Sequence, residues 1–171
     1  GVFRPVWQEE IESEVERNSI KIAVRHGDGE AAATLAVRRA IRSMRVAFPG
    51  GCLDRVDWEP LVAGCTNDPK DRHVLAAALA AGATHVVTSN VRDFPVRSRP
   101  DGVSVMRPDS FLLQCLSENE EGVVAGIKAM AARHRAPPTT AEALAERIAK
   151  GVMAPRFGQH LVEVLAHDVG G

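Results

Sequence analysis

Residues 67–93 constrain the fold more than any other stretch of the chain. Asn67-Asp68-Pro69 reads as a helix start, a capping side chain followed by proline in the first turn. The helix is expected over 69–81, through Asp71, Val74-Leu75 and a run of alanines, stopping at Gly82. Thr84-His85-Val86-Val87-Thr88 then reads as a short buried strand. A helix that enters a strand of its own sheet through so tight a turn runs antiparallel to that strand. The start of the helix and the end of the strand therefore share one end of the sheet, which brings Asp71 near Asn90 and Asp93. Open parallel sheets bind their ligands at that end.

The surroundings agree. Val103 to Met106 reads as a second strand, and Pro108-Asp109 opens a helix over 110–116. Helix, strand, loop, strand and helix at this spacing imply a parallel α/β sheet. Upstream, residues 2–7 read as a short strand or edge segment broken by Pro5. Residues 8–18 read as a helix with Ile11/Val15 and Glu10/Glu14 at i, i+4. A longer helix follows over 30–47, whose Val37, Ile41, Met44 and Phe48 form a core-facing stripe, and Pro49-Gly50-Gly51 ends it. Residues 52–65 read as a strand and a loop anchored by Trp58, Leu61 and Val62. Downstream the pattern is all helical: 119–134 closed by Pro137-Pro138, then a Thr139/Glu142 capping box for a helix ending at Gly151, then a helix from Pro155 to about 166. The expected division is an α/β domain over 1–116 and a helical extension over 117–171.

Composition narrows the classes of function. Lys plus Arg is 21 and Asp plus Glu is 22, a net charge of −1 that excludes a uniformly basic nucleic-acid coat but allows a local basic groove. The scattered Cys52, Cys65 and Cys115 lack the spacing of a zinc site or disulfide framework and fit a reducing compartment. No run approaches the roughly 18 apolar residues of a membrane span, so a soluble cytoplasmic protein is expected. An aromatic content of 4% speaks against a dedicated single-strand binder.

Carboxylates converging in one crevice repel one another unless a cation lies among them. Oxygen donors without Cys or His point to Mg²⁺ or Mn²⁺, and such ions serve phosphodiester hydrolysis. The residues leave alternatives open: Asp68 or Asp71 as a plain helix cap, Asp93 as a turn former. Arg72 and Arg92 flank the acidic residues and can meet either a phosphate or those carboxylates. Arg38, Arg42 and Arg45 are read first as a solvated helix face. His73 points about 200° away from Asp71 around a 3.6-residue helix and is read as structural.

Asn67-Asp68-Pro69-Lys70-Asp71-Arg72-His73-Val74-Leu75-Ala76-Ala77-Ala78, followed by Val86-Val87-Thr88-Ser89-Asn90-Val91-Arg92-Asp93-Phe94-Pro95, resembles the C-terminal half of a PIN domain of the bacterial VapC type. Residues 2–112 are similar throughout, and the helical tail resembles the extension of some longer members. The resemblance implies a PIN-like three-layer α/β/α fold with a parallel sheet and C-terminal helices. It also implies a Mg²⁺- or Mn²⁺-dependent endoribonuclease, commonly the toxin of a toxin–antitoxin pair, with RNA as substrate and an antitoxin or a second copy as partner. On it, Glu14 matches the acidic position of the early helix, Asp71 the central ligand, and Asn90 and Asp93 the polar and acidic positions after the strand. Glu14, Asp71 and Asp93 would hold the metal and Asn90 would orient water or substrate. A PIN domain opens with a strand ending in a metal-binding Asp, which nothing in these residues supplies, so the chain is expected to lack that strand. The alternative expectation is a catalytically inert PIN-like scaffold serving as a dimerisation or antitoxin-binding module. A phospho-ligand domain of response-regulator type lacks a glycine-rich loop to support it.

Overall fold

The computed structural model describes residues 1–133 and 139–168, which form two compact units. The first contains Arg4–Val86 and Arg92–Ser104. It opens with β1 (Trp7–Gln8), which pairs in parallel with β2 (Cys52–Leu53), Trp7 opposite Cys52. Of the expected 2–7 strand only Trp7 enters a ladder, joined by Gln8 from the start of the expected helix. Pro5 has no N–H to give one, and Gly1–Phe3 belong to the other unit. The buried Trp7 ring lies directly over Gly51, where an added Cβ would come within 2.5 Å of it. That contact requires glycine at the end of the Pro49-Gly50-Gly51 turn.

Helix α1 (Glu9–Arg25) starts on Gln8, whose side chain accepts a hydrogen bond from Ile11 N at 2.9 Å. It outruns the expected 8–18 because residues 19–25 contain neither glycine nor proline, and it ends where Gly27 turns the chain to positive φ. Helix α2 (Glu30–Ala47) folds back on α1 with the bounds expected from its sequence. Its stripe is shallower than expected: Val37, Ile41 and Met44 are half-buried, Phe48 is exposed, and Ala33 is the fully buried residue. The arginine face also departs from plain solvation. Arg38 Nε donates to Glu16 at 2.7 Å, and Arg45 holds the buried Glu12 through two hydrogen bonds.

The Glu12–Arg45 pair makes a stability prediction. Hydrogen bonds from Arg45 outweigh burial and hold the Glu12 carboxyl below its ordinary value. A depressed carboxyl contributes stability that is fully present above the unfolded value of about 4.3 and is lost as pH falls through the folded value. Arg45→Ala leaves Glu12 buried without its cation. With Arg45 itself half exposed, solvent screens the pair in part, and we expect a modest loss of stability at pH 7, read as a lower urea midpoint. Urea melts at pH 7 and pH 3 check this: the gap between variant and parent should shrink at pH 3, and an equal gap at both would refute the pairing.

After α3 (Arg55–Trp58) and a 3₁₀ turn over Glu59–Gly64, the chain enters a 3₁₀ turn over Pro69–Asp71 and then α4 (Arg72–Ala80). Leu75 to Ala78 form its buried face, and Trp58, Val86 and Phe94 complete the core of this unit. Trp58 anchors residues 52–65 as expected, while Leu61 is exposed. Strands β3 (His85–Val87) and β4 (Ser104–Met106) form the second pair. The flanking bonds, Ser104 N to Thr84 O and Thr88 N to Met106 O, advance together along both strands, as in a parallel ladder. The chain is thus mixed α/β with short parallel strand pairs and C-terminal helices, the class expected of a PIN-like protein. Its parallel strands come as two separate pairs.

The second unit contains Gly1–Phe3, Val87–Val91 and the chain from Val105 onward. Helices α5 (Pro108–Glu118), α6 (Glu120–Arg133), α7 (Ala141–Lys150) and α8 (Pro155–Asp168) enclose a core of Leu116, Ile127, Leu144, Phe157, Leu161 and Leu165. Phe3 meets Phe111 edge-on at 5.2 Å. The cap of α7 is Thr140, accepting from Ala143 N at 3.1 Å, where the sequence suggested Thr139. Asp109 accepts from Phe157 N at 2.9 Å, so one carboxylate in the first turn of α5 also caps α8. His134 and Pro137-Pro138, expected to close the preceding helix, lie outside the described residues.

Candidate functional site

The turn that opens α4 separates two roles the sequence left open. Asp68 is the cap: its side chain accepts from Lys70 N at 3.1 Å, and its carbonyl accepts from Asp71 N at 2.9 Å. Asp71 sits at the N-cap position of α4 yet makes no capping bond with its side chain. Its carboxyl instead meets that of Asp93. Burial, then the Asp93 charge and the hydrogen bond that a protonated Asp71 donates to that carboxylate, push Asp71 above its ordinary value, with Lys70 opposing.

Asp93 is held from behind. It ends a 3₁₀ turn over Val91–Asp93, and its carbonyl accepts from Asp68 N at 3.4 Å, tying the two acidic segments together. Phe94 is buried beside it, and the Phe94 carbonyl accepts from Arg99 Nε at 2.8 Å. Ser98 closes the following turn on Pro95 O through both its backbone N–H and its hydroxyl. Arg99 and Ser98 were not legible as positioning residues, because their partners are backbone carbonyls.

Glu14 occupies a different place. With Arg17, Arg55, Trp58, Lys70 and His73 it lines a cavity of about 870 Å³ formed by α1, α3 and the start of α4. Among the described residues, no group of three or more His, Cys, Asp or Glu side chains converges closely enough to hold a metal ion. Of the expected ligands, then, Asp71 and Asp93 are brought together and Glu14 does not join them. Asn90 follows β3 and is exposed, with its N–H donating to Thr88 Oγ1 at 3.1 Å. It belongs to the second unit. Arg72 donates from Nε to Asn67 O at 3.3 Å, so it ties down the acidic turn, while Arg92 is exposed.

Two residues of this region gain weight from the structure. His73 shares the cavity wall with Glu14, and its buried Nε2 has no hydrogen-bond partner among the described residues. Asn67 is 3% exposed, and neither its side-chain nitrogen nor its oxygen is partnered among the described residues. Nothing in the local sequence marks Asn67 beyond its place before the cap.

Residues 108–161 match the family model described as the VapC50 C-terminal domain. The chain is also 38% identical over 101 residues to a protein of Mycobacterium tuberculosis (strain ATCC 25618 / H37Rv) named "Putative ribonuclease VapC50". Both matches are to VapC-type proteins, and that is what the chain is similar to. That similarity covers 58% of this chain and 59% of the relative, so the chain spans somewhat more than half the length of the VapC-type protein it matches. No solved structure matches the chain. Among the described residues, no helix is long and apolar enough to cross a membrane.

Proposed function

We propose that this chain is a VapC-type, metal-dependent endoribonuclease, the toxin of a bacterial toxin–antitoxin pair, acting with Mg²⁺ or Mn²⁺ held by Asp71 and Asp93. One observation carries the reading: Asp71 stands at a helix start without capping it and keeps its carboxyl against that of Asp93. Two carboxyls in contact are unfavourable unless a proton or a cation lies between them. The donor set fits a hard divalent ion, being carboxylate oxygen alone, and the name of the mycobacterial relative supports a ribonuclease. A cation bound there supplies Lewis-acid stabilisation of the charge that grows on the phosphate.

The chain's own groups do the rest. Asp68 and Arg72 fix the turn that presents Asp71, while Phe94 and Arg99 fix Asp93. Glu14, with Lys70 and Arg17 on the same cavity wall, lies where a phosphate backbone would find cations beside a carboxylate. Arg92 and Asn90, both exposed, are assigned to the substrate, Asn90 orienting water or RNA as the resemblance implies. The test is cleavage of single-stranded RNA by the full chain with Mn²⁺, with Mg²⁺ and with EDTA. We expect cleavage that EDTA abolishes and added metal restores, and cleavage indifferent to EDTA would overturn the metal assignment.

A second reading, a non-catalytic partner-binding scaffold, draws on one observation. The α1–α2 hairpin fully buries only Glu12 and Ala33, and leaves Val15, Ile22, Val24 and Leu35 exposed. Exposed apolar side chains grouped on one hairpin suit an antitoxin or a second copy. This reading predicts a stable complex without cleavage and without any metal-linked rise in melting temperature.

A further inference from the structure

We infer that the loop from Lys150 to Arg156, between α7 and α8, contacts single-stranded RNA, with Val152 and Met153 against a base and Lys150 and Arg156 on the flanking phosphates. The inference rests on the ribonuclease reading above and adds to it a recognition element within the C-terminal helices.

Location comes first. Met153 Sδ lies 4.0 Å from Ser89 Oγ, and Ser89 immediately precedes Asn90, the polar candidate after β3. Presentation comes next. Val152 is 93% exposed and Met153 56% exposed, yet the loop is fixed at both ends. Gly151 N donates to Ile148 O at 3.0 Å, Ala154 is buried, and the Asp109 carboxylate holds the first turn of α8 through Phe157 N. Single exposed apolar residues are ordinary on protein surfaces. An exposed pair on a short loop anchored at both ends, beside a candidate site residue, is a different matter, because that anchoring lowers the ordering cost of contact.

Charge selects the partner. Lys150 and Arg156 bracket the apolar pair and are 79% and 70% exposed, with Glu146 at 3.6 Å and Asp109 at 4.0 Å as their carboxylate neighbours. Cation, apolar pair, cation is the order that meets phosphate, base, phosphate along a single strand. A protein partner would need roughly 800 Å² of complementary surface, far more than two side chains offer. Methionine suits contacts with varied bases, since its thioether is flexible and polarisable.

The test measures binding of a fluorescent mixed-sequence single-stranded RNA by anisotropy. The full chain carries Asp71→Asn throughout to stop turnover, and is compared with the same chain carrying Val152→Glu and Met153→Glu. Both loop residues are exposed, so the melting temperature should be unchanged, and RNA affinity should fall about tenfold or more. A separate Lys150→Gln variant should lower the salt dependence of binding by about one phosphate contact. Equal RNA binding with and without the loop substitutions would overturn the loop assignment and leave the ribonuclease reading standing. Failure of the parent chain to bind RNA would overturn both. Unchanged RNA binding with loss of a co-purifying protein would reassign the loop to a protein partner and overturn the inference.

Discussion

Asp71→Asn is expected to abolish metal-dependent RNA cleavage while raising the melting temperature of the metal-free chain. The two effects have one cause. Burial and the neighbouring Asp93 push the Asp71 carboxyl above its ordinary value, so the folded chain binds that proton more tightly than the unfolded chain does. A raised carboxyl contributes stability at low pH that is lost as pH rises through the folded value, and at pH 7 its ionisation is a cost. Asparagine keeps the shape, drops the charge and relieves the repulsion from Asp93. It also removes the oxygen charge a cation needs, and activity should fall at least about a hundredfold. Metal binding supplies the second readout. At a hundred times its Kd a ligand adds about 2.7 kcal/mol, which for a chain of this size is about 5–10 °C. The parent should show that rise with Mn²⁺ or Mg²⁺ and the variant should not. A variant that melts lower without metal, or keeps the full metal-induced rise, would exclude Asp71 as a ligand.

What the sequence made legible follows from how local each determinant is. Helix α2 and the start of α5 match their expected bounds because periodicity and Pro/Gly punctuation act within a few residues. Of the strand expected over 2–7 only Trp7 pairs, and Gln8 joins it, because pairing depends on Gly51 and Cys52, far along the chain. The cap of α7 fell on Thr140 rather than Thr139 since adjacent threonines offer the same chemistry and only backbone geometry chooses between them. At the site, the spacing of Asp71 and Asp93 carried enough information to bring them together, because a helix and a strand joined by a tight turn leave little freedom. It could not tell which of Asp68 and Asp71 caps the turn, since they differ only in where each carboxylate points. Nor could it find the burial of Asn67 or the cavity that Glu14 shares with His73, since both depend on what α1, α3 and the start of α4 do together.

Gly158→Ala should destabilise the helical unit by about 2–3 kcal/mol, while the same substitution at Gly126 should stabilise it by about 0.5–1 kcal/mol. Both glycines lie inside helices, where alanine is intrinsically preferred, so propensity alone predicts a gain at each. Surroundings decide the sign. A Cβ on Gly126 of α6 meets nothing within 4 Å. On Gly158 of α8 it would stand 2.2 Å from the Ala149 nitrogen and 2.6 Å from the Ala149 Cα, both at the end of α7. Those atoms are backbone and cannot swing aside as a side-chain tip would. Helix α8 must therefore move off α7, opening the core around Ala145, Phe157 and Leu161, where any gap loses close contacts outright. For a chain of this length the loss is about 4–12 °C in melting temperature. Thermal melts of the two variants against the parent give the comparison. A Gly158→Ala chain as stable as the Gly126→Ala chain would mean that α7 and α8 do not approach this closely.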